Sequence, residues 1–369
     1  MKKTFYFLLI LLFTTVAAAQ DECPELVTEA LDSADELCAD LDRNEACYGN
    51  FQIDADVQDG EFAEAGDITD LININRLDLA GLNEEAGTWG VAVMNLQADI
   101  PDTLPGQNVT FLLFGDVEIE SAVNEDDDTM TPMQAFYLTT GVTGTSCDDA
   151  PDGLLVQTPD GVAEVSLNVN GADVTLGSTA FIQTIDSDDV YASEGDTDLA
   201  VSVLEGQGTI SVDGETEPIP AGSWIRLSLG ENRLAQRLTE AALPYENARF
   251  ERLPIQRLQR QFDLTPSLTQ ERINEIRDEF RANGGFQQLF EGEVNVSITN
   301  STDTSVNILI GDVAAYRIAP GLRDAATFSA GRYTVTVCGG PERCFSFEHV
   351  FIRDQNHVVT PQSFRKRGL

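Results

Sequence analysis

Histidine is nearly missing from this 369-residue chain: there are two, His349 and His357, both near the C-terminal end. A Ser-His-Asp triad needs an imidazole at hydrogen-bond reach of its nucleophile, so a chain with so few has little scope for it. No C-x-x-C pair occurs among the six cysteines, which removes the commonest spacing of a structural zinc site. No P-loop, no H-E-x-x-H and no G-x-G-x-x-G after a strand appears. Basic residues are scarcer still: after Arg76 the next Lys or Arg is Arg226. Against 22 Lys and Arg stand 62 Asp and Glu, a net charge of −40. Nucleic acid is excluded as a partner, because its affinity comes from neutralising phosphates. Carboxylates in the cation-free stretch must be solvated, spread out or held by metal ions.

Long apolar runs are also lacking. The only candidate is Phe5 to Phe13, which follows Lys2-Lys3 and precedes Ala17-Ala18-Ala19. That layout predicts a cleaved leader over residues 1–19, too short for a span of roughly 20 residues. No membrane span is expected after cleavage, and a secreted or extracytoplasmic location follows. Oxidising conditions then let the cysteines pair. Cys338 and Cys344 close a short loop between strand-like runs and are expected to form a bridge. The other four allow three pairings. A helix between Cys23 and Cys38 would hold those two about 22 Å apart, which favours Cys38 with Cys47 and Cys23 with Cys147.

Apolar periodicity divides the chain. Leu26, Val27, Ala30, Leu31, Ala34, Leu37, Cys38 and Leu41 recur at helical spacing, with Pro24 in the first turn. Trp89 to Leu96 and Phe111 to Phe114 are apolar on both faces and suit central strands. Together they predict a unit over 20–151, a helix plus β-sandwich. Over 152–233 the pattern alternates by two, as in Val165, Leu167 and Val169, and Asn170-Gly171 and Asp213-Gly214 supply turns. Over 234–290 a helical linker is expected, with one helix from Pro254 carrying Ile255, Leu258 and Phe262. A second follows a capping box at Ser267-Leu268-Thr269-Gln270. Arginines are plentiful there, so the linker could dock a basic face on the acidic block, or its interleaved acids could make ordinary solvated helix faces. Residues 291–363 alternate again and predict an immunoglobulin-like sandwich before a basic tail, 364–369. The fold class is mainly β, in tandem sandwich or β-roll units.

The stretch Asn170 to Ala180, with Leu199 to Gly206 and Pro220-Ala221-Gly222, resembles a FecR-like domain over about 152–233. The resemblance implies a β-roll in an extracytoplasmic protein that senses or binds without catalysing. The membrane helix of the signalling members is not seen, so signalling is not implied. Glu205 to Glu215 also resembles a cupin, but the histidine ligands cupin enzymes need are absent from this unit.

Acids are the remaining source of chemistry. Asp186, Asp188, Asp189, Glu194 and Asp196 are candidate calcium ligands, and Glu125 to Asp128 forms a second acidic loop; neither fits the EF-hand spacing. Calcium is the one cofactor the pattern suggests. Trp89 reads as core, whereas Trp224 alternates with Arg226 and Ser228 and could face a ligand. The expected function is non-enzymatic extracellular binding, of cell-envelope or extracellular polysaccharide or of an extracellular protein. A structural matrix or adhesive role is the alternative. A carboxylate-based glycosidase would require two carboxyls facing each other in an aromatic-lined cleft.

Overall fold

The computed structural model describes residues 23–97, 108–123, 131–141, 150–159, 164–187, 196–283, 293–300, 305–311, 314–329, 331–338, 344–351 and 357–359. The protein is mainly β, with an N-terminal helix, as the alternation of its sequence predicts. Helix α1 (Cys23–Leu37) comes first. Strands β1 (Glu45–Asn50), β2 (Ile53–Val57), β3 (Ile68–Asp70), β4 (Ile74–Leu79), β5 (Val91–Leu96), β6 (Val109–Phe114), β7 (Val117–Ser121) and β8 (Ala135–Thr140) follow. Next come β9 (Gly153–Gln157), β10 (Val165–Val169), β11 (Ala172–Leu176), β12 (Thr179–Asp186), β13 (Thr197–Glu205), β14 (Gln207–Val212), β15 (Glu215–Pro220), β16 (Ser223–Leu229), β17 (Ala235–Leu238) and β18 (Leu243–Pro244).

These strands form two facing sheets. Sheet I has ten, in the order β17-β16-β13-β12-β9-β6-β5-β1-β3 with β18 beside β16. Sheet II has eight, in the order β15-β14-β11-β10-β8-β7-β4-β2. The chain works along the sandwich by hairpins that change sheet, such as β5–β6 in sheet I and β7–β8 in sheet II. Strand β9 hydrogen-bonds β6 on one side and β12 on the other. The two units expected on either side of residue 151 therefore share one continuous sandwich, whose core is filled from both sheets.

Local patterning explains the two sheets' different faces. In β10 and β11 the buried Val165, Leu167, Val169, Val174 and Leu176 alternate with polar residues that point out of sheet II. The hairpin between them turns at Asn170-Gly171, with φ of 52° and 80°, the left-handed geometry that this pair tolerates. In sheet I, β6 is buried at every position. Its second face packs under a separate apolar cluster that includes Ala30, Leu31, Ala34, Trp89, Phe114 and Phe181. Part of that cover is α1. It lies so close to β1 that a Cβ at Gly49 would sit 2.7 Å from Ala34 Cβ. The Cys38–Cys47 disulfide ties the end of α1 to β1, as the spacing predicts. Cys147 lies outside the described residues, so its pairing with Cys23 does too.

Tyr245, Phe250, Leu253 and Leu258 supply the rest of the cover. Helix α2 (Asn247–Phe250) and a single 3-10 turn at Ile255–Arg257 are the helical parts of this strap. The helix expected from Pro254 stops after that one turn, with Leu258 already extended, because the backbone beyond it finds partners on the sandwich. Gln157, buried at the end of β9, donates to Arg260 O at 2.8 Å and accepts from Arg260 N at 2.8 Å. Helix α3 (Gln270–Asn283) forms where the pattern predicts and buries Ile273 and Ile276. Its cap is Thr269 rather than Ser267: Thr269 Oγ1 accepts from Arg272 N at 3.3 Å.

The linker arginines do both things the sequence allowed. Arg257 bonds Asp32 and Asp35 of α1 at 2.7 and 2.5 Å, Arg260 bonds Glu205 at 2.6 Å, and Arg281 bonds Glu217. Arg272 instead pairs with Glu275 along the helix surface. The phrase Gly177-Ser178-Thr179 has a role in this docking, since Arg260 Nη2 donates to Ser178 Oγ at 3.0 Å and to Thr179 Oγ1 at 3.2 Å.

The C-terminal part forms a second, smaller two-sheet sandwich. Strands β19 (Glu293–Thr299), β20 (Val306–Ile310), β21 (Ala314–Ile318), β22 (Arg323–Ser329), β23 (Gly331–Cys338), β24 (Cys344–Phe351) and β25 (His357–Val359) make sheets of three and four, ordered β22-β19-β25 and β21-β20-β23-β24. Val306, Ile308, Ile310, Val335 and Val337 fill its core. Cys338 and Cys344 are direct cross-strand partners and form the expected disulfide. His349 stands opposite Tyr333 in one sheet and His357 opposite Val296 in the other. Strands β24 and β25 are thus not one hairpin. No helix among the described residues is long and apolar enough to cross a membrane.

A candidate functional site on the open sheet

With sheet I covered, the outer face of sheet II is where polar side chains stand exposed or half-buried in rows. The pairing register sets Asp54, Asp78, Glu118 and Thr139 side by side across β2, β4, β7 and β8. The next row is Asp56, Arg76, Glu120 and Tyr137. Successive members are about 4.8 Å apart, the spacing of neighbouring strands. At one end of the first row lies an open groove of about 480 Å³ lined by Asp78, Asp116, Glu118, Thr139, Thr140, Gly141 and Arg233.

Its shape follows from two tight places in the chain. Between β6 and β7, Gly115 at φ 81° lets the backbone turn from one sheet to the other, and Asp152 Oδ1 caps the turn by accepting from Asp116 N at 2.8 Å. At the end of β8, a Cβ on Gly141 would sit 2.8 Å from both Asp116 Oδ2 and Asp152 Oδ2. The two carboxylates therefore face each other over Gly141, within twice that distance. Thr140 and Thr184 fix the floor by exchanging backbone-to-hydroxyl bonds of 2.7 and 2.9 Å in full burial.

The Arg233 guanidinium completes the wall, and Arg76 lies beside it on the sheet. Arg76 bonds Glu118 at 3.2 Å, and Arg233 bonds Glu118 and Glu120 while lying 5.4 Å over the Tyr137 ring. Arg233 reaches this position from a left-handed residue, φ 62°, in the β16–β17 turn. Negative charge still dominates. Burial, reinforced by Glu118, pushes the Asp78 carboxyl above its ordinary range. Burial pushes Asp152 up to about 6, and the nearby Asp116 adds to the rise while its backbone N–H opposes it.

Asp152 gives a signed prediction. A carboxyl raised above its ordinary 3.8 stabilises the fold while protonated, so the contribution is complete below pH 3.8 and is lost as pH rises through about 6. Asp152→Asn keeps an acceptor for Asp116 N and removes the buried charge. It is expected to stabilise the protein by about 1–2 kcal/mol at neutral pH, allowing for solvent screening of a partly exposed group. Thermal melts from pH 4 to 7 check this: the wild type should lose stability across the interval relative to the variant, and parallel curves would contradict it.

The sequence-derived candidates fare differently. Asp186 ends β12 and Asp196 precedes β13, with Ser187 N donating to Asp196 O at 3.0 Å across the base of their loop. Asp188, Asp189 and Glu194 lie outside the described residues, as does the loop Glu125 to Asp128. Among the described residues no group of three or more His, Cys, Asp or Glu is placed to hold a metal ion. Trp89 is core, 1% exposed. Trp224 does not present a free ring: the strap packs on it and its Nε1 donates to Pro244 O at 3.2 Å. The aromatic-lined cleft that a carboxylate-based glycosidase requires is not this groove, whose lining residues include no aromatic ring. Sequence reading missed Asp78, Asp116, Glu118, Asp152 and Arg233. Their one local signal is the alternation Val117-Glu118-Ile119-Glu120, which puts two acids on the outward face of β7.

These features define a disulfide-stapled, mainly β protein in which, among the described residues, one sheet face is covered and the other open. No protein family matches the chain, and no curated protein does. Among solved structures it has a similarity to one described as the Bacillus anthracis TIE protein, at 8% identity, over 73% of this chain and 56% of that one, with a TM-score of 0.14. The chain thus spans little more than half of that protein, and a likeness so slight carries no argument.

Proposed function

We propose that this is a non-enzymatic, extracytoplasmic binding protein whose ligand is a cell-envelope or extracellular polysaccharide, held on the outer face of sheet II. The observation that carries this reading is the groove, where carboxylates, hydroxyls and a guanidinium converge on strands fixed by pairing on both sides. Such a mixture of donors and acceptors suits a hydroxyl-rich ligand, and rigid strands keep the ordering cost of binding low. The two disulfides accord with life in an oxidising compartment. The FecR-like resemblance supports the same non-catalytic setting.

Retention of the purified chain on insoluble cell-wall and exopolysaccharide fractions tests the proposal, with Thr139→Arg as the groove-filling variant. Thr139 is half-buried and points outward, so the change leaves the core alone. The wild type should be retained and the variant released. Equal retention of both would move the site elsewhere, and no retention of either would defeat the polysaccharide reading.

A further inference from the structure

We propose that β3, the outermost strand of sheet I, is a docking edge for an extended basic peptide, which joins the sheet as one more strand. This surface is separate from the groove on sheet II, and the inference does not rest on the carbohydrate reading. Strand β3 ends the order of sheet I, with β1 as its one neighbour among the described strands. Thr69 lies opposite Ala46 in that pairing, Leu71 N donates to Asn44 O at 2.7 Å, and Asp67 O accepts from Tyr48 N at 2.9 Å. Asp67, Thr69 and Leu71 thus turn their backbone groups to β1, and the alternation of an antiparallel ladder turns those of Ile68 and Asp70 outward. Such an edge offers a peptide main-chain donors and acceptors at every second residue.

Two features of the side chains select the occupant. The first is apolar. Ile68 is 40% exposed and Leu37 of α1 39% exposed. They meet at one place: Ile68 stands opposite Cys47, whose disulfide to Cys38 fixes the end of α1, and a Cβ on Gly66 would lie 3.4 Å from Leu37 Cδ2. An added strand would cover Ile68 while main-chain bonds hold it in register. The second feature is charge. Asp70 stands directly opposite Glu45, and like charges in that position destabilise a sheet. Between Cys23 and Asn75 the sequence has 15 Asp and Glu and one Lys or Arg, Arg43. Ile68 and Asp70 are two residues apart and share a face. An incoming strand with an apolar residue two places from a basic one therefore covers Ile68 and neutralises Asp70 at once. A second copy of this chain would bring the same acids to the edge and repel itself, so the charge favours a basic partner.

The test is a fluorescence-anisotropy titration of the whole chain with a labelled heptapeptide, Thr-Arg-Thr-Val-Thr-Arg-Thr, whose Arg and Val side chains share one face. It is expected to bind, and a version with Glu in place of Arg to bind at least about tenfold more weakly. Two further versions carry N-methyl groups on alternate residues. The one methylated on the side that meets β3 should lose binding, and the other should keep it. In the protein, Ile68→Pro removes an outward N–H that β1 does not use, and Asp70→Arg reverses an exposed charge. Each, verified as folded by its melting curve, should weaken the peptide by about tenfold or more. No binding of the heptapeptide, or equal binding of its Arg and Glu versions, would overturn the proposal. Retention of both methylated forms would show that no strand is added. Undiminished binding to Asp70→Arg would place the peptide elsewhere and overturn it too. Dimerisation of the chain that Ile68→Pro abolishes would assign the edge to a second copy instead.

Discussion

Asn170→Ala is expected to destabilise the protein by about 4 kcal/mol, more than a surface turn residue normally costs. Asn170 is completely buried although it sits in a two-residue hairpin turn. Its Oδ1 accepts from Leu138 N at 3.0 Å, and its Nδ2 donates to Leu138 O at 3.1 Å and to Arg233 O at 2.8 Å. The side chain thereby acts as a piece of strand, continuing the β8–β10 pairing and holding the turn that carries Arg233 to the groove. Alanine strands the buried N–H and C=O of Leu138 and the half-buried C=O of Arg233, and strains the left-handed φ of 52°. Each unpaired group costs about 1–3 kcal/mol before relaxation. Asn170→Gly removes only the backbone strain, so it should recover about 1 kcal/mol of the loss. Urea unfolding of the three proteins measures both steps. A loss under about 1 kcal/mol in the alanine variant would mean that the side-chain bonds are not holding the sheet.

Phe181→Ala is the second large effect, with an expected loss of about 3–5 kcal/mol. The ring stacks with Phe114 at 6.1 Å and meets the edge of Phe250 at 6.2 Å, which joins sheet I to the strap. Gly153 leaves the space for it: a Cβ there would fall 2.4 Å from the ring. Loss of the ring should loosen the strap beyond the global effect. Limited trypsin digestion reads this as faster cleavage after Arg252 and Arg257 under conditions where the sandwich stays folded. Destabilisation with an unchanged cleavage pattern would show that the strap is held by its ion pairs instead.

What could be read from the sequence was whatever depends on neighbours along the chain. Val165, Leu167 and Val169 alternate, Asn170-Gly171 turns, and the hairpin is there. Cys338 and Cys344 are close in sequence and are paired. The apolar run at Phe111 to Phe114 called for cover on both faces, but nothing local says that the cover is α1 and a strap from beyond residue 240. The strap misled for the same reason: Ile255, Leu258 and Phe262 have helical spacing, but burial against sheet I and the bonds of Arg260 to Gln157 outweigh that preference. The candidate site was the least legible part. Asp116 and Asp152 meet because a turn between sheets and the end of β8 are stacked, and in the sequence they are two acids among 62.

The account centres on one open face. Carbodiimide labelling of surface carboxylates, read by mass spectrometry with and without bound polysaccharide, tests it most directly. Protection is predicted at Asp54, Asp78, Asp116 and Glu118, with Asp32 and Asp35 on α1 labelled as in the free protein. Protection confined to α1 and the strap, or none anywhere in the presence of a retained polymer, would contradict it.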